Sequence, residues 1–368
     1  MSTWNNLALA AVLAFADAAW SQGKITLPDD SPLTLLAADW SQTQTSERGG
    51  AMVVDLHTAL SLRNASPKRV RGLTLLVSSQ EVAAGGRGSV TKASLDVAPG
   101  ENFPVRIDLR LLRPLQRGTG PLVEITLDGV LFDDLTFYGP NRLESRRVLT
   151  AWEMEAQRDR RWFRQVLERD GMEGLRKECI ASLARQADTL RLDVQMAQGQ
   201  RTTAAGAPRN VQLAFLRFPD SPVEAVGGAA QVFPGAARFP RVELENHSQR
   251  AVRHVEIGWL LRDSRGREYA AGATSSRVAL ASGGRARLEQ DAALTFTGPA
   301  GAPVSIDALT AFVSQVEFED GSVWLPSRSA LADSQLRKAL APSAEEQRLT
   351  AIYRKRGLSA LAEELKKF

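Results

Sequence analysis

Two pairs of adjacent acidic residues are the first candidates for chemistry in this chain. Asp133 with Asp134, and Glu319 with Asp320, occupy the same position in two similar stretches of sequence. Carboxylates that recur in this way can bind a cation or act as a general acid and base. A tight turn explains them more simply, because an acidic residue followed by glycine, as at Gly321, suits a hairpin turn. We therefore predict turn residues and keep Asp134 and Asp320 as candidate binding residues.

Three aromatic side chains form the second group of candidates. Tyr138 and Trp324 occupy matching positions in the same two stretches, and Trp259 lies in another strand-like segment. An exposed aromatic ring can stack on a sugar, whereas a buried ring fills the core of a β-sandwich. The core interpretation is favoured, and all three residues are kept as candidate binding residues.

The remaining reactive residue types give little support for an enzyme. The chain has only three histidines, which leaves little room for a histidine-based metal site or triad: His57, His247 and His254. Ser89 and Lys92 match the S-x-x-K pattern of penicillin-binding enzymes, but the S-D-N and K-T-G elements are absent. The single cysteine, Cys179, excludes an intramolecular disulfide, and its place on an apolar helical stripe predicts a packing role. We predict no catalytic residue, no cofactor and no metal.

The acidic pairs and two of the aromatic residues belong to an internal repeat. Residues 130–142 read VLFDDLTFYGPNR and residues 316–328 read VEFEDGSVWLPSR, with five identical positions. The same offset of 186 residues relates Gly171 to Gly357, so the repeat continues beyond these stretches. A repeat of this kind predicts two copies of one structural unit.

Residues 25–142 have the pattern of an antiparallel sandwich. Seven or eight short segments with alternating apolar residues recur at spacings of roughly 8 to 12 residues, with turn residues between them. Residues 210–328 repeat this series, and residues 211–218 are matched with residues 33–40. We therefore predict a mainly β fold with α-helices, in which two antiparallel β-sandwiches are each followed by a helical hairpin.

Helical periodicity follows each predicted sandwich. Trp152 lies on an apolar stripe with helical spacing, and Gly171 separates two predicted helices. Near the C-terminus, Ser343 and Glu346 have the spacing of a capping box, which marks the start of a helix. The predicted segments are a helical hairpin at residues 143–187, a linker at 188–209 and a C-terminal helical hairpin at 333–368.

The tripeptide Asn-x-Ser occurs at matching positions of the two copies. Asn64 with Ser66, and Asn246 with Ser248, each follow a strand-like segment. Both are glycosylation sequons by pattern, although Pro67 disfavours the first. Their matched position favours an Asx turn between strands, because an asparagine side chain can bond the backbone two residues later.

Residues 1–22 are predicted to form a secretory signal peptide. A short apolar run at residues 7–16 ends at Ala16-Asp17-Ala18, a small-x-small step of the kind that signal peptidases cut. No Lys or Arg precedes the run, and a retained amphipathic or buried helix is the alternative. The run is shorter than the about 20 residues of a transmembrane helix. We predict no transmembrane span in the mature chain.

The composition is that of an ordinary globular protein. The chain has 368 residues, of which 43% are hydrophobic and 24% charged, and this length favours two or three domains. The formal net charge is +4, and the arginines are spread along the chain rather than gathered in a basic run. Because binding to phosphate requires clustered charge, we predict a solvated surface and no nucleic-acid partner.

Residues 242–266 carry a resemblance to a known group of domains. They read VELENHSQRAVRHVEIGWLLRDSRG, which is a strand, an Asn-x-Ser turn, an alternating strand and an Asp-x-x-Gly turn. This pattern resembles the small bacterial immunoglobulin-like sandwiches of cell-envelope proteins, including the FxLYD type. The resemblance implies two tandem immunoglobulin-like β-sandwiches, and it implies no activity or functional residue. The predicted helical hairpins are a departure from those domains.

Three functions are compatible with these features. The preferred hypothesis is a non-enzymatic protein, exported to the periplasm or beyond the cell, that binds or spaces proteins or other components of the bacterial cell envelope. The second is a glycan-acting hydrolase with carboxylates in the cleft between the two modules. The third is a cytosolic regulator that docks through its Arg-rich helix at residues 158–169 and keeps an intact N-terminus. The sequence leaves the ligand, the oligomeric state and the pathway open.

Overall fold

The fold is known for most of the chain from a computed structural model, which describes residues 23–79, 85–114, 121–198, 208–289, 292–297 and 304–368. The predicted signal peptide at residues 1–22 lies outside the described residues, as do residues 199–207 of the predicted linker. The chain is mainly β, with 48% of the described residues in strands and 24% in helices, which confirms the predicted class. It divides into two compact units, Met1–Leu149 and Thr150–Phe368.

Two β-sheets form the first unit. Its strands are β1 (Gly23–Thr26), β2 (Leu33–Asp39), β3 (Gln44–Arg48), β4 (Ala51–Asn64), β5 (Val70–Ser78), β6 (Arg87–Lys92), β7 (Asn102–Pro114), β8 (Val123–Phe132) and β9 (Phe137–Tyr138). One sheet has the order β1-β8-β5-β6, with β9 beside β8. In the other, β4 lies between β7 on one side and β2 and β3 on the other.

Alternating apolar residues from both sheets form the core of the first unit. Leu56 of β4 and Ile107 of β7 are fully buried in the same cluster as Leu73 of β5 and Ile125 of β8. Burying a side chain of this size stabilises the fold by roughly 1.5 to 3 kcal/mol. The period of two in the sequence therefore places these residues on the inner faces of the sheets.

The second unit also contains two sheets. Its strands are β10 (Asp193–Gln198), β11 (Arg209–Gln212), β12 (Ala214–Phe215), β13 (Val223–Phe233), β14 (Ala236–Asn246), β15 (Val252–Asp263), β16 (Glu268–Leu280), β17 (Arg285–Glu289), β18 (Ala292–Thr297), β19 (Ile306–Phe318) and β20 (Val323–Trp324). One sheet has the order β12-β19-β15-β16, with β20 beside β19. The other has the order β10-β18-β14-β13-β11, with β17 beside β14.

The sheet β1-β8-β5-β6 and the sheet β12-β19-β15-β16 have the same strand directions as well as the same order. In each, the first pair of strands is parallel and the next two pairs are antiparallel. The two-residue strands β9 and β20 pair with the ends of β8 and β19. The repeated stretches 130–142 and 316–328 therefore occupy equivalent places in the two sheets.

The predicted Asx turn at Asn64 is present and buried in the first unit. Asn64 Oδ1 accepts hydrogen bonds from the backbone N–H and the hydroxyl of Ser66, at 3.0 and 2.7 Å. Its Nδ2 donates to the carbonyl oxygens of Lys68, at 2.8 Å, and Val97, at 3.1 Å. No surface of Asn64 is exposed, so the side chain ties the end of β4 to two neighbouring segments from inside the fold.

The second unit contains the same turn at Asn246. Asn246 Oδ1 accepts from the backbone N–H and the hydroxyl of Ser248, at 2.9 and 2.7 Å. Its Nδ2 donates to the carbonyl oxygens of Arg250, at 2.8 Å, and Ala281, at 2.9 Å. Asn246 is also fully buried. The two units therefore share a four-bond network as well as a strand order.

The match of residues 211–218 to the start of β2 is wrong. Leu33 of β2 pairs with Asn64, and Val223 of β13 pairs with Asn246, so β13 is the counterpart of β2. β13 reads VEAVGGAAQVF, and its run of Gly and Ala interrupts the apolar alternation that a sequence comparison follows. β12 pairs in parallel with β19 and so takes the place of β1.

Four α-helices complete the described chain, together with a short 3-10 helix. Their bounds are α1 (Ser145–Asp188), 3-10 (Ala330–Ala332), α2 (Ser334–Ala339), α3 (Ala344–Arg356) and α4 (Leu358–Leu365). Gly171 interrupts α1 with a φ of 68°, and Gly357 separates α3 from α4 with a φ of 84°. Glycine adopts such angles without strain, so both glycines of the repeat break a helix in the same way. Among the described residues, no helix is long and apolar enough to span a membrane.

The structure adds detail to the predicted linker and helical segments. The linker range 188–209 contains β10, which pairs with β18, and the range 333–368 contains α2 as well as α3 and α4. Ser343 accepts a hydrogen bond from the Glu346 N–H at 3.0 Å, which confirms the predicted helix start. The unit boundary follows Leu149, so most of α1 belongs to the second unit.

Helices α1, α3 and α4 pack into one apolar cluster. Its fully buried members are Phe163, Leu175 and Cys179 of α1 and Leu349, Leu361 and Leu365 of α3 and α4. Each of the first three residues is related to one of the last three by the 186-residue offset. The two sides of the cluster are thus formed by equivalent segments of the repeat.

Candidate functional site

The predicted candidate Asp134 holds a turn in the first unit. Its Oδ1 accepts hydrogen bonds from the Thr136 N–H at 3.0 Å and from the Thr136 hydroxyl at 2.6 Å. The Lys68 ammonium lies 2.7 Å from Oδ2. The hydrogen bonds from Lys68 and Thr136 lower the pKa of Asp134 to about 2. The carboxylate is therefore charged and engaged on both oxygens.

Asp320 has the equivalent role in the second unit. It accepts from the Ser322 N–H at 2.9 Å and from the Ser322 hydroxyl at 2.5 Å, and Arg250 lies 3.5 Å away. The hydrogen bonds from Ser322 lower its pKa. The next residue has positive φ in both turns, but it is Gly321 in this unit and Leu135 in the first. Both predicted turns are present, and only the second has the glycine that the backbone favours.

The predicted aromatic candidates lie in different surroundings. Trp259 is 2% exposed and donates its indole N–H to the Thr274 hydroxyl at 2.9 Å, so its ring has no open face for a sugar. Tyr138 is half-buried and donates to Asp30 at 2.6 Å. Burial, together with Asp30, raises the pKa of Tyr138 to about 12. Trp324 is half-buried against two apolar clusters of the second unit.

These five candidates are divided between the two units. Asp134 and Tyr138 belong to the first unit, whereas Asp320, Trp324 and Trp259 belong to the second. Within the described ranges, no group of three His, Cys, Asp or Glu side chains could hold a metal ion. The binding role of these residues remains a prediction.

Two other sequence candidates have unfavourable geometry for catalysis. Ser89 and Lys92 lie three residues apart on β6, so their side chains leave opposite faces of the strand and the lysine cannot activate the serine. Cys179 is fully buried in the helical cluster. Burial raises the pKa of its thiol to about 12, which keeps it protonated and unreactive.

A polar group that sequence reasoning missed lies on the outer face of β15 and β19. Val255 and Ile257 of β15 point into the core, so Glu256 between them points away from it. Ser314 of β19 occupies a bulge, and its hydroxyl lies 2.9 Å from Glu256 Oε1. Gln315 is directly opposite Glu256, is 5% exposed, and its Nε2 has no hydrogen-bond partner in the described chain.

Glu155 of α1 is close enough to this group for its carboxyl to be influenced by the charge of Glu256. It is half-buried, and burial raises the pKa of its carboxyl to about 7. The Arg158 guanidinium opposes that shift, and the carboxylates of Asp159 and Glu256 increase it. A carboxyl with a strongly raised pKa beside a second carboxylate is a recognised mark of a functional site. We name Glu155, Glu256, Ser314 and Gln315 the carboxylate junction.

Polar contacts anchor α1 next to the junction. Arg158 donates to the carbonyl oxygen of Pro326 at 2.9 Å. Arg328 donates to Glu178 at 2.7 Å, and its guanidinium stacks on the Trp162 ring with a 4.4 Å separation from the ring centroid. These contacts hold the helix to the segment that follows β20.

Four arginines of the predicted docking helix at residues 158–169 have carboxylate partners within the second unit: Arg158, Arg160, Arg164 and Arg169. Arg160 is 7% exposed, lies 2.5 Å from Glu153 and 3.5 Å from Glu345, and so forms a buried ion triad. Arg164 is paired with Glu168, 3.5 Å away. Because these arginines are paired within the chain, their positive charge is less available for binding another molecule.

The comparisons with known proteins identify no family. No protein-family model matches the chain, and no curated protein matches it. Among solved structures, red sea bream transglutaminase is similar at 10% identity and a TM-score of 0.14, over 78% of this chain and 29% of that one. A β-glucosidase from Kluyveromyces marxianus is similar at 8% identity and a TM-score of 0.14, over 72% and 45% of the two chains. The chain spans less than half the length of both proteins, and scores this low carry no argument about fold or function.

Proposed function

We propose that this is a non-enzymatic protein that binds or spaces components of the bacterial cell envelope, built from two copies of a module of one β-sandwich and its helices. The observation that carries the proposal is the shared architecture of the two units: one strand order with one set of directions, and one buried four-bond turn at Asn64 and at Asn246. Proteins built from repeated modules commonly use them to present binding surfaces at a set spacing.

The engagement of the polar side chains supports a binding role over a catalytic one. Asp134 and Asp320 stabilise turns, Arg160 neutralises two buried carboxylates, and Cys179 fills an apolar cluster. Side chains held in this way stabilise a rigid scaffold, and binding of a partner is then expected to depend on other, exposed residues. A partner of this protein is expected to be a protein or another envelope component.

Export is the part of this proposal that the N-terminal sequence supports. The apolar run and the Ala16-Asp17-Ala18 step predict removal of residues 1–22. N-terminal sequencing of the protein from fractionated cells is expected to find a new N-terminus at Ala19, directly after the Ala16-Asp17-Ala18 step, or within the next few residues, in the envelope fraction. An Ala18→Phe variant is expected to block cleavage at that step. An intact Met1 in the cytosolic fraction, with crosslinking to cytosolic proteins alone, would refute the proposal.

One observation favours a second candidate, a glycan-acting hydrolase. Glu155 and Glu256 are neighbouring carboxylates, and Trp152, one helical turn before Glu155, is 40% exposed. Such a pair resembles the acid and base of a glycosidase with a sugar-stacking ring beside it. Incubation with purified peptidoglycan tests this candidate: release of reducing ends that falls at least about 100-fold in Glu155→Gln and Glu256→Gln would support it. Absence of release by the wild-type protein would eliminate it.

A further inference from the structure

Strand β7 is an edge strand of the first unit. β4 pairs with one side of it over its whole length of 13 residues, without a register shift. Among the described residues, no other strand pairs with β7. Sheets commonly protect an edge by a bulge, by a very short strand or by a covering segment. The length and the regular register of β7 exclude the first two.

The second unit covers the equivalent edge with a strand of its own. β17 and β18 lie beside β14 as β7 lies beside β4, and β10 pairs with the other side of β18. This added pairing is antiparallel, from Asp193 opposite Thr297 to Gln198 opposite Ala292. The module therefore accepts an antiparallel strand at this edge.

The direction of the backbone groups shows which residues of β7 an added strand would meet. The Leu112 N–H donates to the Gly85 carbonyl oxygen at 2.7 Å, so it points away from β4. Successive residues of an antiparallel strand point their N–H and C=O groups to alternate sides. The groups of Arg106, Asp108 and Arg110 therefore also point away from β4, and the side chains of all three residues are exposed.

The alternating charges make this edge complementary to a second copy of itself. With a two-fold axis at Ile107, Arg106 of each copy lies opposite Asp108 of the other. Opposite charges in such cross-strand pairs stabilise a sheet. An axis at Asp108 would place Asp108 opposite itself and Arg106 opposite Arg110, and like charges directly opposite each other are destabilising.

A neighbouring register is also less favourable. An axis at Leu109 would pair Asp108 with Arg110, but it would place Arg106 opposite Leu112, whose N–H is already bonded. The axis at Ile107 leaves that bond in place.

Pairing about Ile107 also covers apolar surface. Leu109 is half-buried at the margin of the core of the first unit. In this register it lies opposite Val105 of the second copy, so the inner faces of the two sheets become continuous. Removing the rest of Leu109 from water favours association.

We propose that the protein forms a homodimer in which the β7 strands of two copies pair antiparallel about Ile107. Arg106 and Asp108 form two reciprocal ion pairs across the axis. Asp108 already contacts His57 Nδ1 through Oδ1 at 2.8 Å, but its side chain is 67% exposed and accessible to the guanidinium. The dimer depends on this edge alone, so its failure would leave the proposed binding function open.

Analytical ultracentrifugation of the full-length protein tests the dimer. We expect a monomer–dimer equilibrium at protein concentrations of about 1 to 100 μM. Arg106→Glu and Asp108→Lys each place like charges opposite one another in both pairs, so each should weaken the dimer at least about tenfold. An equimolar mixture of the two variants should recover association, because each altered residue then faces an opposite charge.

The matched control is Glu47→Lys. Glu47 is an exposed residue of β3, which pairs with the other side of β4, so this variant should keep the wild-type equilibrium. A wild-type protein that is monomeric at every concentration overturns the proposal, as does a dimer that neither β7 variant weakens. A mixture that fails to recover association overturns the pairing about Ile107.

Hydrogen exchange of the wild-type protein gives a readout that needs no variant. Protection of the Arg106, Asp108 and Arg110 amides should rise at least about tenfold with protein concentration as the dimer forms. The Ile107 amide points to β4 and should be protected throughout. Equal protection of all four amides in the monomer would show that another segment of the chain covers the edge, and would overturn the proposal.

Discussion

Replacing the buried asparagine of each turn should destabilise its own unit strongly. In Asn64→Ala, four hydrogen bonds are lost: two from Ser66 to Oδ1 and two from Nδ2 to the carbonyls of Lys68 and Val97. A buried hydrogen bond contributes about 1 kcal/mol. The Val97 carbonyl keeps a bond from the Val70 N–H, at 2.9 Å, so it is not left without a donor. We therefore expect a loss of about 3 kcal/mol rather than 4 in the free energy of unfolding.

The second unit supplies a matched replicate of this experiment. Asn246→Ala removes the four corresponding bonds and a long one from Nδ2 to the Leu280 carbonyl at 3.5 Å. Its cost should agree with that of Asn64→Ala within about 1 kcal/mol. Ser66→Ala is the graded control, because it removes the hydroxyl bonds and leaves the backbone bond to Asn64 Oδ1, and its cost should be about 1 kcal/mol.

Hydrogen exchange resolves these effects by unit. Exchange of β5 reports on the first unit and exchange of β15 on the second, and a loss of about 3 kcal/mol lowers protection roughly 100-fold. Losses below about 1 kcal/mol in both Asn→Ala variants would refute the reasoning, since the side chains would then not be holding the strand ends. Unequal losses would refute the equivalence of the two turns.

Three further predictions follow from single contacts. Leu135→Gly should raise the free energy of unfolding of the first unit by about 1 kcal/mol in chemical denaturation, because Leu135 has a φ of 64°. The reverse change in the second unit, Gly321→Leu, should lower that unit's free energy of unfolding by about 1 to 2 kcal/mol. A change of the same sign in both variants would contradict the assigned turn. Arg160→Leu should cost about 3 to 5 kcal/mol, because it removes the guanidinium from buried Glu153, whereas Glu345 keeps Arg348 at 2.8 Å. A loss below about 1 kcal/mol would show that water compensates the Glu153 carboxylate. Cys179 should resist iodoacetamide at pH 8 until the protein is unfolded in urea, and rapid labelling of the folded protein would contradict its burial.

Local chemistry made part of this structure predictable. Asn64 and Asn246 are followed two residues later by serine, and that pattern alone identifies the Asx turns. Gly171 and Gly357 were matched by the offset of the repeat, and both have the positive φ that ends a helix. Such features depend on a few adjacent residues, so they can be read without knowledge of the rest of the fold.

Features that depend on which surfaces meet were not predictable in this way. Trp152 lies on an apolar helical stripe, yet it is 40% exposed, because the periodicity does not say which face is covered. Glu256 interrupts an apolar strand as a surface residue would, and no local pattern indicates that Glu155 of α1 is half-buried and influenced by its charge. The counterpart of β2 was also missed, because β13 is rich in Gly and Ala.

The helical cluster determines when the second unit can complete its folding during synthesis. Phe163 and Leu349 are 186 positions apart in the chain, so the apolar face of α1 has no partner until α3 and α4 leave the ribosome. At roughly 5 to 20 residues per second, that interval is on the order of ten seconds or more. During this time Phe163 and Cys179 are available to chaperones or to another nascent chain. A chain truncated before Leu349 would leave this apolar face exposed permanently. The last twenty or so residues are therefore required for the second unit to bury its helical cluster.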